Sequence, residues 1–315
     1  MNPERLIIGT RGSELALCQA DMVMAALRLA HPELEVERKI IATTGDRRQD
    51  LRFSEFSAGE HLDKGIFIKE LETALERGEI HAAVHSLKDV PSEMPPAFTI
   101  AAVLPRANTE DVLVTREAHS IQSLPPGAKI GTSSVRRMRL LRWRRPDVHA
   151  VEIRGNVPTR VRKLFAPSEL DGILLARAGL ERLGLLQNDV VVIDDRRLPA
   201  CILDNHDFFP AAGQGAIGIE ARQEDKNTLA LLDKINDART LARVQAEREF
   251  LRLLGAGCQT PVGTLTRIEG PDLQMHVVVF DEADAAAPPF EAEASAGVRE
   301  PLALAAKLAA MVQQR

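Results

Sequence analysis

Short apolar runs alternate with amphipathic stretches along the N-terminal part of the chain. A strand-like run at 6–9 is followed by a helix that Ser13 caps, and a second strand is predicted near 36–42. After a long polar stretch, a helix at about 67–77 leads to another strand near 82–85. This alternation of strand and helix periods is typical of a parallel sheet covered by helices, so the sequence predicts an α/β domain.

The same alternation continues in the middle of the chain. Strands are predicted near 111–115, 128–131, 148–153, 171–176 and 190–193. An apolar run beginning at Ala216 predicts a further strand, which we expect to rejoin the first sheet. Two crossings between two α/β domains predict a hinged cleft, where ligands usually bind.

The last part of the chain has a different pattern. A long helix is predicted from about Asp237 to Gly255, followed by strands near 262–267 and 273–280 and by an alanine-rich helix. This order predicts a small α+β domain. We therefore expect three domains, formed by residues 1–104 with 215–236, by residues 105–214, and by residues 237–315.

A polar stretch from Thr44 to Lys64 interrupts the first domain and is longer than the usual connection between elements. It predicts either a mobile flap over a site or a disordered segment.

The composition argues against several classes of protein. The formal net charge of the 315 residues is −5, aromatic residues make up 3% and tyrosine is absent, which disfavours a nucleic-acid surface built on base stacking. No apolar run approaches the roughly 20 residues of a membrane span, and the first residues lack the pattern of a signal peptide. We therefore expect a cytoplasmic protein. Three widely spaced cysteines fit a reducing compartment.

Positive charge is nevertheless concentrated in one segment. Nine arginines lie between Arg136 and Arg162. The sequence GTSSVRR, which starts at Gly131, predicts a strand end followed by a helix that has Arg136 and Arg137 in its first turn. The helix dipole opposes cations there, and a bound carboxylate or phosphate would reverse this conflict. The alternative is a solvated basic helix face.

The same helix has a predicted cap and a predicted inner face. Either Ser133 or Ser134 is the expected N-cap. The spacing of Val135, Met138 and Leu141 predicts that these three side chains point inward.

Two further segments have the composition of anion receptors. Arg154 to Arg160 follows another predicted strand, and Arg11 comes just before the helix that Ser13 caps. Guanidinium groups and free N–H groups at a helix start suit carboxylates and phosphates.

Three other patterns have simpler interpretations. Residues 213–218 match the dinucleotide fingerprint in letters, but the glycines precede a predicted strand instead of joining a strand to a helix. His81 and His85 have metal-ligand spacing only in a helix, whereas their segment predicts a strand, so we predict no metal site. Cys18 and Cys201 lie among apolar residues and are expected to be packed thiols.

Two residues could carry chemistry. Cys258 lies in a glycine-rich turn just past a predicted helix end, as either an ordinary loop cysteine or a functional one. Asp89 follows a buried strand at the expected cleft, where a carboxylate can stabilise a developing cation and move protons. A helix-capping role before Pro91 is the alternative for Asp89.

Several of these segments together closely resemble the porphobilinogen deaminase family, whose members are also called hydroxymethylbilane synthases. The matching blocks run in the same order along nearly the whole chain. They are Arg11 with SELAL from Ser13, KGIFIKEL from Lys64, HSLKDVP from His85, GTSSVRR from Gly131, RGN from Arg154, PAAGQG from Pro210 and GCQ from Gly257.

The resemblance implies a transferase that joins four porphobilinogen molecules head to tail, with loss of ammonia, to give hydroxymethylbilane. It implies two α/β domains like those of type II periplasmic binding proteins, with a hinged cleft, and a small α+β C-terminal domain. Cys258 would hold a dipyrromethane cofactor through a thioether. Asp89 would be the catalytic residue, hydrogen-bonding pyrrole N–H groups, assisting loss of ammonia and stabilising the cationic intermediate.

The resemblance also implies a set of residues that bind the carboxylates of cofactor and substrate. These residues are Arg11, Ser13, Lys64, Lys88, Thr132, Ser133, Ser134, Arg136, Arg137, Arg154, Arg160, Arg182, Gln214 and Gly215. The last two correspond to a loop on the hinge side of the cleft. The family further implies a monomer.

Two other functions remain as alternatives. A non-enzymatic cleft protein that binds a carboxylate or phosphate solute would need the arginines but neither Cys258 nor Asp89. A nucleic-acid-binding protein would use the basic segment, but the acidic net charge and the scarcity of aromatic residues disfavour it. We therefore expect porphobilinogen as a small-molecule partner, without nucleic acid or membrane.

Overall fold

The structure is a computed structural model that describes residues 5–43, 68–165, 170–256, 260–284 and 287–314. The predicted flap at 44–64 lies outside these residues. The chain divides into two compact units, formed by residues 1–106 with 216–244 and by residues 107–215 with 245–315.

The described segments contain the following elements. In chain order, the strands are β1 (Arg5–Thr10), β2 (Glu35–Ile40), β3 (Ala82–Ser86), β4 (Phe98–Val103), β5 (Asp111–Thr115), β6 (Lys129–Gly131), β7 (His149–Val151), β8 (Gly172–Ala176), β9 (Leu186–Gln187), β10 (Val190–Ile193), β11 (Arg196–Ile202), β12 (Ile217–Arg222), β13 (Val262–Glu269), β14 (Asp272–Val279) and β15 (Phe290–Gly297). The helices are α1 (Glu14–Ala30), α2 (Lys69–Glu76), α3 (Val135–Arg144), α4 (Val157–Lys163), α5 (Arg177–Arg182), α6 (Lys226–Asp233), α7 (Ala238–Leu253) and α8 (Pro301–Gln313).

The first unit is built on a sheet with the strand order β2-β1-β3-β12-β4. β1 is parallel to both β2 and β3, as the alternating pattern predicts. β12 returns antiparallel between β3 and β4, which confirms that the chain rejoins its first sheet. Fully buried Leu6, Ile8 and Leu27 form part of the core between this sheet and α1.

The second unit contains a sheet with the order β7-β6-β8-β5-β11-β10-β9. β6 is parallel to its neighbours β7 and β8, whereas β5 runs antiparallel to β8. Phe208 and Phe209 are fully buried in a core that this sheet shares with Leu265 and Val278 of the C-terminal part. Burial of such large apolar side chains is the main favourable contribution to folding.

The C-terminal part is an antiparallel sheet in the order β13-β14-β15. α8 covers it, and Leu304 and Leu308 are fully buried against this sheet together with Phe250 of α7. The predicted fold class, with two α/β sheets and a small α+β part, is confirmed. The sequence analysis missed β4, β9, β11 and β15. Within the described ranges, no helix is both long and apolar enough to cross a membrane.

Candidate active site

The first candidate residues lie at the carboxyl edge of the first sheet. Arg11 and Ser13 follow β1, while Lys88 and Asp89 belong to a single 3₁₀ turn that follows β3. Because β1 and β3 are parallel neighbours, both segments meet at the same edge. Ser13 is the N-cap of α1, and its hydroxyl accepts from the Ala16 N–H at 3.3 Å. This edge is where ligands bind in open α/β sheets.

Hydrogen bonds and burial hold the turn that carries Asp89 in place. Gln19 and Ser86 exchange side-chain hydrogen bonds of 2.8 and 3.0 Å, which join α1 to the end of β3. Leu87 is 1% exposed, and its N–H donates to the Ala216 carbonyl at 3.1 Å. Asp89 itself is half-buried, and among the described residues its carboxylate has no hydrogen-bond or ion-pair partner. The sequence has placed a carboxylate on a rigid support and left its oxygens available.

The two histidines of the metal-like spacing have protein partners. The Nε2 of His85 lies 2.9 Å from Oε2 of Glu220, and both side chains are buried. The Ile7 N–H donates to Nδ1 of His81 at 2.9 Å. Burial raises the pKa of nearby Glu72, and the charge of Glu220 raises it further. His85 therefore ties β3 to β12 beneath the turn that carries Asp89.

A second set of candidates lies at the carboxyl edge of the second sheet. Thr132, Ser133 and Ser134 join β6 to α3, and Arg154 lies between β7 and α4. Arg182 is in α5, which follows β8 directly. Since β6 is parallel to β7 and β8, the three connections share one edge. The topology has brought together segments that are separated by up to fifty residues in the sequence.

The three hydroxyl residues also have local structural roles. Ser134 is the N-cap of α3, and its Oγ accepts from the Arg137 N–H at 3.5 Å. Oγ1 of Thr132 accepts from the Ser134 N–H at 3.2 Å, and the Ser133 hydroxyl donates to the Ile153 carbonyl. Of the two residues predicted as the N-cap of α3, Ser134 is confirmed.

Arg136 and Arg137 are buried, with 5% exposure each, around the carboxylate of Asp111. Nη2 of Arg136 donates to Asp111 Oδ2 at 2.9 Å, and Nη2 of Arg137 donates to Oδ1 at 2.6 Å. Gln214 adds a third donor at 2.9 Å. Burial by itself raises the pKa of Asp111, but the charges of Arg136 and Arg137 outweigh it and hold that pKa well below its ordinary value.

The predicted inner face of this helix was wrong in part. Leu141 is buried, but Val135 and Met138 are only half-buried, and Leu140 is buried instead. An internal carboxylate, Asp111, partly compensates the two arginines in the first turn of α3. In the sequence, Asp111 is recognisable only as the residue that opens an apolar run, so its pairing with the two arginines was not predicted.

Much of the remaining basic character of α3 has internal acceptors. Arg139 donates to the carbonyls of Asp281 and Asp284, and Arg145 pairs with Asp147 at 2.8 Å. Arg144 pairs with Asp207 at 2.9 Å. The concentration of positive charge seen in the sequence is therefore partly a feature of how this helix is held.

The other arginines of this edge contact nearby backbone and side chains. Arg154 lies 2.7 Å from Glu152, and Nε of Arg160 donates to the Gly155 carbonyl at 2.7 Å. Nη2 of Arg182 donates to the Gly215 carbonyl at 2.7 Å.

The loop at 213–215 is also part of this unit. The Gln214 side chain is fully buried and donates to the Thr109 carbonyl at 2.6 Å as well as to Asp111. The Gly213 N–H donates to Glu247 of α7 at 2.7 Å, and the Thr266 hydroxyl donates to the other oxygen of Glu247. Glu247 is fully buried, and nothing in the helical pattern of α7 marked it. The glycines precede β12, as the sequence predicted.

Two predicted site residues, Lys64 and Cys258, lie outside the described residues. Cys258 falls between α7 and β13. Cys18 and Cys201 are not disulfide-bonded and are half-buried. Burial raises the pKa of the Cys201 thiol.

The donor set suits a ligand that carries several carboxylates. The carboxyl edge of the second sheet combines guanidinium groups with hydroxyls. Nε of Arg136 is buried without a hydrogen-bond partner among the described residues. A buried N–H donor without an acceptor is costly, so an acceptor from a ligand would complete this site.

Comparison with known families gives the chain a relationship over most of its length. Residues 6–230 match the family described as porphobilinogen deaminase, dipyromethane cofactor binding domain. Residues 241–314 match the porphobilinogen deaminase C-terminal domain. The chain belongs to the porphobilinogen deaminase family.

Individual relatives agree with this membership. A porphobilinogen deaminase of Syntrophomonas wolfei is 47% identical over 274 residues, which cover 87% of this chain and 84% of the relative. One from Roseiflexus sp. strain RS-1 is 44% identical and covers 88% and 86% respectively.

Among solved structures, the methionine-binding protein MetQ aligns at 12% identity with a TM-score of 0.45, over 78% of this chain and 92% of MetQ.

Family membership confirms the predicted class of activity. The chain is a transferase of tetrapyrrole biosynthesis that condenses porphobilinogen, with a dipyrromethane cofactor. These findings do not favour the alternative of a non-enzymatic solute-binding protein.

Proposed function

We propose that the chain builds hydroxymethylbilane from four porphobilinogen molecules on a dipyrromethane that the sulfur of Cys258 holds. Asp89 is the catalytic residue. The observation that supports this role is the half-buried carboxylate of Asp89, which is placed at a sheet edge on a fixed turn and lacks a partner among the described residues. The dipyrromethane, when bound, supplies the pyrrole carbon to which the first substrate is joined.

The role of Asp89 follows from the charge changes on the substrate. Loss of ammonia leaves a cation on the pyrrole of porphobilinogen, and a carboxylate accepting from the pyrrole N–H stabilises that cation. The new carbon–carbon bond joins this cation to a ring carbon of the growing pyrrole chain, and that ring carbon then loses its hydrogen as a proton. A carboxylate within reach can accept that proton.

Binding is assigned to the cationic and hydroxyl residues of the two edges. Each porphobilinogen carries an acetate and a propionate, so negative charge accumulates as the chain of pyrroles grows. We assign carboxylate binding to Arg11, Ser13, Lys64, Lys88, Thr132, Ser133, Ser134, Arg136, Arg137, Arg154, Arg160 and Arg182, with Gln214 and Gly215 in the supporting loop. Paired guanidinium donors are well matched to carboxylates.

We also propose that the protein is a cytoplasmic monomer that binds no nucleic acid. The net charge of −5 and the 3% content of aromatic residues support the last point.

Intact mass spectrometry tests the attachment. We expect wild-type protein and the Cys201→Ala control to carry an adduct of two pyrrole units, and Cys258→Ala to lack it. A wild-type protein without the adduct after incubation with porphobilinogen, or an adduct that persists in Cys258→Ala, would contradict the proposal.

A further inference from the structure

The cluster around Asp111 has an unusual balance of charge for a buried site. One carboxylate faces two guanidiniums, and Asp111 is 0% exposed. Burial lowers the pKa of Arg136, Asp111 opposes that change, and the charge of Arg137 adds to it. Buried charges are normally compensated by charges of opposite sign. Here one negative charge faces two positive charges, so the cluster carries a net positive charge.

The geometry fixes both guanidiniums in place. All three nitrogens of Arg137 are engaged: Nε and Nη2 with Asp111 Oδ1, and Nη1 with the Leu174 carbonyl at 3.0 Å. Arg136 donates to Asp111 and to the Phe209 carbonyl. Among the described residues, Asp111 accepts hydrogen bonds from both arginines, each of which also donates to a backbone carbonyl.

Asp111 is itself held by a further donor, the side chain of Gln214. Gln214 donates to Oδ1 of Asp111 and to the Thr109 carbonyl. The Gly213 N–H, next to Gln214, donates to Glu247 of α7, which also accepts from Thr266 of β13. A continuous set of buried hydrogen bonds thus leads from the C-terminal sheet to the first turn of α3.

We infer that Asp111 is a positioning residue of the carboxylate-binding site, which fixes Arg136 and Arg137 while leaving the buried pair with net positive charge. The inference rests on the proposed role of these arginines in binding substrate and cofactor. Without the carboxylate, two buried guanidiniums repel each other and lose their common acceptor, so their fixed geometry is lost.

The experiment compares kinetic constants of protein that carries the cofactor, as judged by intact mass. Asp111→Asn keeps the shape of the side chain and removes its charge. We expect its KM for porphobilinogen to rise at least tenfold and its kcat to change less than its KM. Asp147→Asn is the matched control, because Asp147 pairs with Arg145 at the other end of the same helix but is exposed. We expect both of its constants within twofold of wild type.

A purely structural role for Asp111 gives a different result. The amount of folded protein, or kcat alone, would then fall, while KM would stay within twofold of wild type. That outcome would overturn the inference.

Further variants cover poor folding of Asp111→Asn. Asp111→Asn/Arg137→Gln has the same net charge in the cluster as wild type, and it is compared with Arg137→Gln alone. We expect a KM at least threefold higher in the double variant, because Arg136 has still lost its anionic acceptor. Equal KM values would overturn the inference.

Arg136→Gln separates failure of this inference from failure of the proposed binding role. If both Arg136→Gln and Asp111→Asn leave KM unchanged, the arginine does not bind substrate. If only Asp111→Asn leaves KM unchanged, the arginine binds and Asp111 does not position it.

Discussion

Two aspartates lie at the carboxyl edge of two different sheets and have opposite surroundings. Asp89 follows β3, is half-buried and has no partner among the described residues. Asp111 opens β5 and pairs across the sheet with Ala176 at the end of β8, where it is fully buried among two arginines and a glutamine. The same residue type is thus placed once with its oxygens available for chemistry and once with them used to hold cations.

The largest expected effect concerns the stability that Asp111 provides. Removing one partner of a buried charge cluster leaves the other partners uncompensated, so Asp111→Asn should lower the free energy of unfolding by about 3–5 kcal/mol. Asp147→Asn, which breaks an exposed pair, should lower it far less, because solvent screens that pair. Denaturant unfolding of both variants measures this, and equal losses would show that the burial of Asp111 does not matter.

The second prediction concerns Asp89. Asp89→Asn should slow ammonia release by about 100-fold or more, since general acid–base and electrostatic groups contribute in this range. Stability should change by less than about 0.5 kcal/mol, because the carboxylate holds nothing in place. Glu93→Gln, at an exposed carboxylate four residues further on, is the control and should remain near wild type. Near-wild-type turnover in Asp89→Asn would remove Asp89 from the mechanism.

A third prediction concerns the loop that supports Asp111. Gly215 has φ +82°, and an added Cβ would lie 2.5 Å from the Ala107 carbonyl oxygen. Gly215→Ala should therefore lower the free energy of unfolding by about 2 kcal/mol. It should also raise the KM for porphobilinogen, as Asp111→Asn does, because this loop supports Asp111. Gly184 has φ +66° with nothing within 4 Å of an added Cβ, so Gly184→Ala should cost only the backbone strain, about 1 kcal/mol. Equal losses would mean that the close approach is relieved by a shift of the loop.

The smallest expected effect is on pH dependence. The pKa of Asp111 is lower in the folded protein than in the unfolded chain, so its stabilisation is present above the unfolded pKa of about 3.9 and is lost as pH falls through the folded value. The stability difference between wild type and Asp111→Asn should change by less than about 0.5 kcal/mol between pH 7 and pH 5, and should shrink only below about pH 4. Thermal unfolding across this range tests the sign. A difference that already shrinks near pH 6 would show that another group is responsible.

Many of the strands and helices were predictable because their patterns are strong. The strand at 111–115 and the helix that begins at Val135 follow directly from apolar spacing and from a serine cap. Four strands were missed for local reasons. β9 has only two residues, β11 contains two arginines and a proline, and β4 and β15 take several of their apolar positions from alanine, which is a weak strand former.

The candidate site was predictable as a set of segments but not as a set of contacts. The arginines of α3 were recognised from the sequence, but their main anionic partner was not, because Asp111 is 25 residues from Arg136. The roles of Glu220 and Glu247 were missed for the same reason, since each is paired with a residue far away in the chain.

The sequence by itself determined the α/β class, the family and the residue types available for binding carboxylates, because these depend on local periodicity and on short ordered motifs. Only the tertiary structure decided which charges are already compensated. Parallel and antiparallel strands bring distant residues to one sheet edge, and burial there turns an arginine that looked free in the sequence into one held by an internal carboxylate.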